Sequence, residues 1–244
     1  MESAEYKRMR AFEEFYWWHV GRRNIVERIL RRILGKQASI LEIGCGTGGN
    51  LKLLGKFGQV TGLDPSKEAL DFCRSQGFSN VVEGSAEDSK LPSESFDVLV
   101  ALDVLEHIED DARAFHECFR LLRDDGYLLM TVPAFPFLWS EHDEALHHKR
   151  RYRRVEIKQK MEAAGFEITR LSYLIMFPFP LIVVYRFLRR WMRGDKQKRT
   201  SYVLLPGWLN RLLIVALQCE GILLSYMNLP FGTSIICVAQ KKNG

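Results

Sequence analysis

Short, almost continuously apolar segments alternate with segments of helical periodicity from residue 39 onward. Strands covered on both faces of a parallel sheet have few polar positions, so these apolar segments are predicted to be buried parallel strands. Five of them precede residue 133: Ser39–Ile43, Gln59–Leu63, Asn80–Val82, Phe96–Leu102 and Tyr127–Val132. Because strands that alternate with helices imply right-handed crossovers, the pattern predicts a doubly wound α/β sheet.

The helical segments are defined by apolar spacing and by capping residues. Ala112, Phe115, Phe119 and Leu122 recur at helical spacing, Asp110 can cap the start, and a helix is predicted over Asp110–Arg123. Further helices are predicted over Arg22–Leu34 and near Val155–Ala164.

The alternation changes after residue 132. Two more strands are predicted at Phe166–Tyr173 and Thr233–Gln240, separated by a long insertion at 176–231. No repeat or low-complexity linker divides the chain, and 244 residues suit one α/β domain. We therefore predict a single domain over 1–244, with an aromatic and helical lid at 1–37, a core at 38–132 and an acceptor-binding half at 133–244.

Composition and charge narrow the class of protein. A hydrophobic fraction of 47% and a charged fraction of 27% are typical of soluble globular proteins. Five scattered cysteines predict neither a zinc site nor a disulfide framework and fit a reducing cytosol. No secretory signal pattern is present, so a cytoplasmic protein is expected.

The net charge of +5 is concentrated in two segments. His147–Lys160 and Arg186–Arg199 each contain seven Lys or Arg and a single acidic residue, which leaves the remainder of the chain net negative. Such segments predict either contact with an anion, such as a phosphate or an anionic membrane face, or simply solvated helix faces. Neither segment contains a nucleic-acid-binding motif, so no nucleic-acid partner is predicted.

A glycine-rich turn marks the candidate cofactor site. Glu42-Ile43-Gly44-Cys45-Gly46-Thr47-Gly48 lies where the first strand meets a helix, and the second strand ends in Asp64-Pro65. Alternate glycines allow a sharp turn and close approach of a ligand, and a carboxylate after the second strand can bind ribose hydroxyls. The two elements together predict a nucleoside site.

This pattern resembles the first motif of the class I S-adenosylmethionine-dependent methyltransferases, E/D-x-G-x-G-x-G. The resemblance continues through Gly84–Glu87, Leu91-Pro92, Phe96-Asp97 and Val104–Ile108, and it covers roughly Ile40 to Val132. It implies a Rossmann-like seven-stranded sheet, mostly parallel with an antiparallel last strand, and S-adenosylmethionine as cofactor with S-adenosylhomocysteine as product. The residues that it places around the cofactor are Glu42, Gly44, Cys45, Gly46, Asp64, Pro65, Ser85, Ala86, Glu87, Asp103 and Val104.

The aromatic cluster Phe15–His19 precedes the first predicted helix. Aromatic faces attract cations, so one ring, Trp18 in our prediction, could face the cofactor sulfonium while the others pack the helix on the sheet. Arg22 could pair with the cofactor carboxylate.

The loop after the fifth strand is rich in groups that could act on an acceptor. A neutral histidine can remove a hydroxyl proton near pH 7, and His142 is the first candidate, followed by His147 and His107. Asp103, Glu106 and His107 also resemble the acidic-x-x-Glu-His spacing of ubiquinone-type O-methyltransferases, in which such residues can bind a divalent metal. The same Glu-His pair occurs in methyltransferases without metal, so no metal is predicted and His107 is expected to line the cleft.

Two further features bear on the acceptor. Arg150 and Arg151 could bind an acceptor phosphate or form surface salt bridges. The insertion contains two apolar segments, Leu171–Tyr185 and Leu212–Met227, that suit a cap over the acceptor pocket, a peripheral membrane contact through 171–193 or a homodimer surface. We favour the pocket cap, with the membrane contact second.

The sequence thus predicts methyl transfer from S-adenosylmethionine to oxygen, rather than nitrogen or carbon, of a small or lipid-linked acceptor, with a glycan or a phosphorylated compound among the candidates. A nicotinamide-dependent oxidoreductase is the alternative enzyme, although the glycine spacing G-x-G-x-G-G differs from the dinucleotide fingerprint. A catalytically silent binding module is the alternative outside enzymes.

Overall fold

The computed structural model describes residues 10–35, 37–191 and 205–242, with the backbone alone described at 189–191. Within these residues one seven-stranded sheet has the order β3-β2-β1-β4-β5-β7-β6. Its strands are β1 (Ala38–Ile43), β2 (Gly58–Asp64), β3 (Val81–Glu83), β4 (Phe96–Leu102), β5 (Leu122–Pro133), β6 (Phe166–Leu174) and β7 (Ser234–Lys241). The helices are α1 (Trp17–Ile33), α2 (Leu51–Leu54), α3 (Lys67–Ser75), α4 (Asp111–Leu121), α5 (Glu141–Ala145), α6 (Arg154–Ala163), α7 (Phe179–Trp191) and α8 (Gly207–Leu223).

Strand directions match the predicted sheet. Strands β1 to β5 pair in parallel, whereas β7 runs antiparallel to both β5 and β6. The prediction of a mostly parallel, Rossmann-like sheet with an antiparallel last strand is therefore confirmed. Leu174 and Pro133 both pair with Ser234, so β6 ends at the same edge as β5. All the parallel strands present their carboxyl ends at this edge, where ligands bind in open α/β sheets.

The sheet is buried because its central strands are apolar on both faces. Every β1 residue except the half-buried Ser39 is buried, and β4 is buried apart from the half-buried Asp97. Continuous apolar character of this kind requires helices on both sides of the sheet, which the crossovers supply.

Two predicted boundaries were wrong. Strand β5 begins at Leu122, which pairs with Phe96, so α4 ends earlier and β5 starts earlier than expected. Leu122 continues the helical spacing from Phe119 and also suits a buried strand, so spacing alone assigned it to the helix. Helix α1 begins at Trp17, and the aromatic cluster thus extends into its first turn instead of preceding it.

The insertion packs against the first helix of the domain. Helix α8 runs alongside α1. The side-chain oxygen of Asn210 accepts a hydrogen bond from the backbone N–H of Trp17, and the Arg32 side chain donates one to the carbonyl of Ser225. The helices approach closely at Gly21, where an added Cβ would lie 2.2 Å from Cδ1 of Leu217. Residues 192–204 of the insertion lie outside the described residues, as do residues 1–9 of the predicted lid.

Candidate functional site

The glycine-rich turn after β1 adopts the backbone conformation that its glycines allow. Gly44, Gly46 and Gly48 have φ angles of 68°, 51° and 80°, in the left-handed region that side chains disfavour. A Cβ on Gly44 would lie 2.5 Å from Cγ2 of Val104, in the segment after β4. The turn therefore depends on glycine for its shape and for its close contact with Val104 in the segment after β4.

Asp64 closes this turn from the end of β2. Its Oδ2 accepts a hydrogen bond from the backbone N–H of Gly46 at 2.9 Å, and Oδ1 accepts one from Ser66 at 2.9 Å. The side chain is buried, and burial raises the pKa of Asp64 above its usual value. Each carboxylate oxygen can accept a second bond, so both remain able to bind ligand hydroxyls. Pro65, the next residue, is exposed.

Glu42, at the end of β1, is buried with one oxygen unpaired. Oε1 accepts a hydrogen bond from the Asn50 side chain at 2.7 Å, whereas the buried Oε2 has no hydrogen-bond partner. Burial raises the pKa of Glu42 to about 8. An unpaired buried acceptor is costly, so this oxygen is suited to a ligand donor such as an ammonium group.

The N-terminal segment covers the turn from one side. The carboxylate of Glu13 accepts a hydrogen bond from the Thr47 hydroxyl at 2.7 Å, and both side chains are buried. Arg22 is ion-paired with Asp103 and lies 5.3 Å from the centre of the Trp18 ring, and its buried Nε has no partner. Arg22 is paired with Asp103 in this structure, and its pairing with a cofactor carboxylate stays a prediction.

Asp103 lies just past the carboxyl end of β4 in a strained backbone conformation. Its φ is 58°, and its Oδ1 accepts a hydrogen bond from Thr131 at 3.0 Å while Oδ2 pairs with Arg22. Non-glycine residues in this region are uncommon and concentrate at functional sites. Asp103 thus places a half-exposed carboxylate between β4 and β5, opposite the glycine-rich turn.

The segment after β3 is a short turn. The hydroxyl of Ser85 accepts a hydrogen bond from the backbone N–H of Asp88, Ala86 is buried, and Glu87 is half-buried. The turn follows β3, which lies next to β2 in the sheet, and contact of this turn with adenine stays a prediction. Cys45 differs from the other predicted residues, because its side chain packs with Leu51, Leu70, Cys73 and Val81. Only the backbone groups of Cys45 are therefore available to contact a ligand.

The three predicted histidines occupy different environments. His107 and His147 are exposed, whereas His142 is half-buried in α5. Burial, together with Arg186, Arg151 and His148, lowers the pKa of His142 to about 4 against the opposing effect of Asp143. His142 is consequently neutral at pH 7 and able to accept a proton.

A fourth histidine has a geometry that sequence reasoning missed. Nδ1 of His148 lies 3.0 Å from Oδ1 of the fully buried Asp143, which also accepts a bond from Nε of Arg151 at 2.7 Å. A buried carboxylate on one ring nitrogen fixes the orientation of a histidine and supports proton transfer at the other nitrogen. The five-residue spacing of Asp143 and His148 was visible in the sequence, although no periodic rule predicts that they meet.

Glu106, His107 and His148 form a cluster at the same edge of the sheet. One ligand atom from each lies within 4.8 Å of the others, a composition that can hold a metal ion. Glu106 is fully buried, neither of its oxygens has a hydrogen-bond partner, and Oε1 lies 3.9 Å from Nε2 of His148. Burial together with the nearby Asp103 raises the pKa of its carboxyl group. A proton can therefore neutralise Glu106 in place of an ion, and the absence of metal stays a prediction.

The predicted phosphate site at Arg150 and Arg151 is not supported. Arg151 is buried and donates to Asp143 and to the carbonyl of Ala134, while Arg150 pairs with Asp111 at 3.3 Å and donates to the carbonyl of Glu109. Both guanidinium groups already have anionic partners. They join the loop after β5 to the core of the domain.

Comparisons with known proteins find a methyltransferase domain in this part of the chain. A methyltransferase-domain family profile matches residues 41–130, which contain the glycine-rich turn, Asp64 and Asp103. A "Probable S-adenosylmethionine-dependent methyltransferase" of Mycolicibacterium smegmatis is 32% identical over 161 residues, covering 64% of this chain and 61% of that protein. A ubiquinone biosynthesis O-methyltransferase of Alkalilimnicola ehrlichii is 34% identical over 102 residues, covering 38% of this chain and 40% of that protein.

The fold matches that of a solved methyltransferase structure over almost the whole chain. The crystal structure of an S-adenosylmethionine-dependent methyltransferase of Thermotoga maritima superposes with a TM-score of 0.61 at 20% identity, covering 98% of this chain and 96% of that one. The alignments with the two sequence relatives span less than two thirds of either protein. The profile and the relatives identify residues 41–130 as the domain of an S-adenosylmethionine-dependent methyltransferase, and the solved structure shows the same fold over almost the whole chain.

Proposed function

We propose that the chain transfers a methyl group from S-adenosylmethionine to an oxygen of a small or lipid-linked acceptor. The observation that carries this proposal is the pair of buried carboxylates at the ends of β1 and β2. Asp64 shapes the glycine-rich turn and retains acceptor capacity, while Glu42 has a buried oxygen without a partner. The Asp64 carboxylate suits the ribose hydroxyls, and the Glu42 carboxyl group suits the ammonium of the methionine part.

The remaining cofactor contacts follow from the same edge of the sheet. Gly44 and Gly46 leave room for close approach, and the turn at Ser85–Glu87 lies beside β2 for the adenine. Trp18 and Arg22 cover the other end of the cleft, next to Asp103 and Val104. When bound, S-adenosylmethionine supplies a methyl group made electrophilic by its sulfonium.

The chain contributes position and proton removal. In-line displacement is accelerated chiefly by holding the nucleophile beside the methyl group, which the loop after β5 can do. His142 is neutral at pH 7 and is the first candidate to take the acceptor proton, followed by His147 and His107; His148, oriented by Asp143, joins this set. The name of the Alkalilimnicola ehrlichii relative, an O-methyltransferase, supports oxygen as the atom methylated.

The test uses methyl-labelled S-adenosylmethionine, the purified protein and an extract of the source cells, followed by partition between organic and aqueous phases. Label in a product that Asp64→Ala no longer forms supports the proposal. Label in the organic phase identifies a lipid or lipid-linked acceptor, and label in the aqueous phase a soluble one. No labelled product, together with tight binding of a nicotinamide nucleotide, would favour the oxidoreductase alternative; cofactor binding without any turnover would favour a silent binding module.

A further inference from the structure

Three arginines line one cavity between α1, the end of α8 and strand β6. Arg28 and Arg32 lie one turn apart on α1, and Arg170 lies in the middle of β6. The cavity has a volume of about 200 Å³, and apolar side chains such as Ile29 and Val238 form much of its wall. A cavity that combines several cations with apolar walls can hold an anion away from bulk water, where the attraction between charges is stronger.

An irregularity in β6 brings Arg170 to this cavity. Ile168 pairs with Ala239 and Arg170 pairs with Val238, so Thr169 is an extra residue in the ladder. Successive residues of a strand normally point to opposite faces of a sheet, yet Thr169 and Arg170 both line the cavity. Bulges of this kind re-aim side chains. Here the bulge adds a third cation to the pair on α1.

The positive charge of the cavity is not balanced by an acidic residue in the part of the chain that the structure describes. No Asp or Glu lines the cavity, and Glu27, next to Arg28 in the sequence, pairs with Arg31 at 2.6 Å. Like charges one turn apart on a helix are destabilising, so Arg28 and Arg32 repel each other. Burial, together with the charge of Arg32, lowers the pKa of Arg170. An anion bound between the three guanidinium groups would remove this repulsion.

The three arginines also retain hydrogen-bond donors. Arg32 donates to the carbonyl of Ser225 at 3.1 Å, and Arg170 donates to the carbonyl of Leu224, in both cases through Nη1. These bonds fix the two side chains at the end of α8 and leave their other N–H groups available. Arg28 makes no hydrogen bond or ion pair with the described residues. The remaining donors suit the fork geometry in which arginine binds phosphate.

The cavity is separate from the cofactor cleft. Arg170 lies four residues before Leu174, the end of β6 at the carboxyl edge, which is about 13 Å along a strand. Arg28 follows Arg22 by six residues, about 9 Å along α1. The volume of the cavity is below the roughly 300 Å³ at which sites for drug-sized ligands begin, so a ligand of few atoms fits it best.

We propose that Arg28, Arg32 and Arg170 form a binding site for a small soluble compound that carries one or two phosphate groups. The inference goes beyond methyl transfer, because binding at this site needs neither the cofactor nor the acceptor. The proposed reaction can therefore fail while this site is confirmed, and this site can fail while the reaction is confirmed.

The test is isothermal titration calorimetry of the full chain with pyrophosphate at about 0.1 M salt, with and without saturating S-adenosylhomocysteine. We expect saturable binding that S-adenosylhomocysteine does not change, because the cavity lies outside the cofactor cleft. Arg28→Gln and Arg170→Gln should each weaken binding by about tenfold or more, since each loses charge-assisted hydrogen bonds. Arg31→Gln is the matched control and should bind like the unmodified protein. It removes the same charge from the same helix, but Arg31 pairs with Glu27 and does not line the cavity.

Thermal unfolding of each variant shows whether a loss of binding occurs in a folded protein. Arg170→Gln removes a bond to the end of α8, whereas Arg28→Gln removes no described bond and should unfold at the temperature of the unmodified protein. No saturable binding of pyrophosphate, or unchanged binding in Arg28→Gln, would overturn the proposal. An equal loss in Arg31→Gln would also overturn it, because net charge alone would then explain the binding. Displacement of pyrophosphate by S-adenosylhomocysteine would do the same by locating the anion in the cofactor cleft.

Discussion

The carboxylate of Asp64 and the backbone N–H of Gly46 are joined by a 2.9 Å hydrogen bond across the start of the cofactor site. One residue thus serves both the shape of the glycine-rich turn and the binding of a ligand. Loss of this side chain should affect ligand affinity through both routes.

We expect Asp64→Ala to weaken S-adenosylmethionine binding by at least tenfold, or about 1.4 kcal/mol. The variant removes the acceptor for ribose hydroxyls and frees the N–H groups of Gly46 and Ser66. Isothermal titration calorimetry measures the dissociation constant. Asp71→Ala, at an exposed position on α3, is the control and should bind normally. An unchanged dissociation constant in the Asp64 variant would remove Asp64 from the site.

Glu42 should make the stability of the cofactor-free protein depend on pH. Because its pKa is raised to about 8 by burial, the folded state keeps a proton that the unfolded state loses above its ordinary value near 4.5. The contribution of Glu42 is therefore fully present below pH 4.5 and is lost as the pH rises toward 8, by about 1.4 kcal/mol per pH unit.

Urea unfolding at pH 5.5, 6.5 and 7.5 measures this effect. Glu42→Gln should become progressively more stable than the unmodified protein as the pH rises, since glutamine never ionises. Glu68→Gln, at an exposed position in α3, should show a difference that does not change with pH. Parallel curves for the Glu42 variant and the unmodified protein would contradict the raised pKa.

His142→Ala should leave the dissociation constant for S-adenosylmethionine unchanged and slow methyl transfer by about 100-fold, the usual contribution of a general base. Because the pKa of His142 is lowered to about 4, the unmodified protein should keep its rate from pH 8 down to about 5 and lose it as the pH falls further. Initial rates with labelled cofactor measure both effects. A midpoint well above 4 would exclude His142 as the base, as would full turnover in His142→Ala.

Chelation should leave methyl transfer unchanged. Burial and the charge of Asp103 raise the pKa of Glu106, so protonation neutralises this carboxyl group within its cluster with His107 and His148. The measurement is the initial rate after dialysis against EDTA, with and without added Mg²⁺ or Zn²⁺. A rate that falls on dialysis and returns with one ion would show that the cluster holds a metal.

The sequence predicts features that depend on neighbouring residues and misses those formed by tertiary contact. Gly44, Gly46 and Asp64 are recognisable because each lies at or just after the end of a predicted strand. The parallel pairing of β1 and β2 then brings these strand ends together. The role of Arg151 is not readable in this way: within a cationic segment it suggests an anion site, yet the fold buries it against Asp143.

The pairing of Asp143 with His148 is also not predictable from the sequence pattern, because it depends on a local turn of the chain. A short helix, α5, ends between the two residues and turns the chain back, and His147 has a φ of 58° at this turn. Hydrophobic periodicity carries no information about such a turn, so the histidine with the best-oriented partner was not among those predicted. Similarly, the composition of Leu171–Tyr185 indicates an apolar segment without indicating that Leu181 and Val184 are exposed.

The close approach of Gly21 and Leu217 makes the insertion an integral part of the architecture. Leu217 packs against α1 one residue before Arg22, and Glu220 on the same helix accepts hydrogen bonds from the backbone N–H groups of Ile175 and Phe177. Deletion of 176–231 to obtain a minimal catalytic core would remove α8 and its packing against α1 beside Arg22. An insertion relative to shorter relatives can therefore be required for the stability of the domain. Chimeras of this chain should exchange α1 and α8 together.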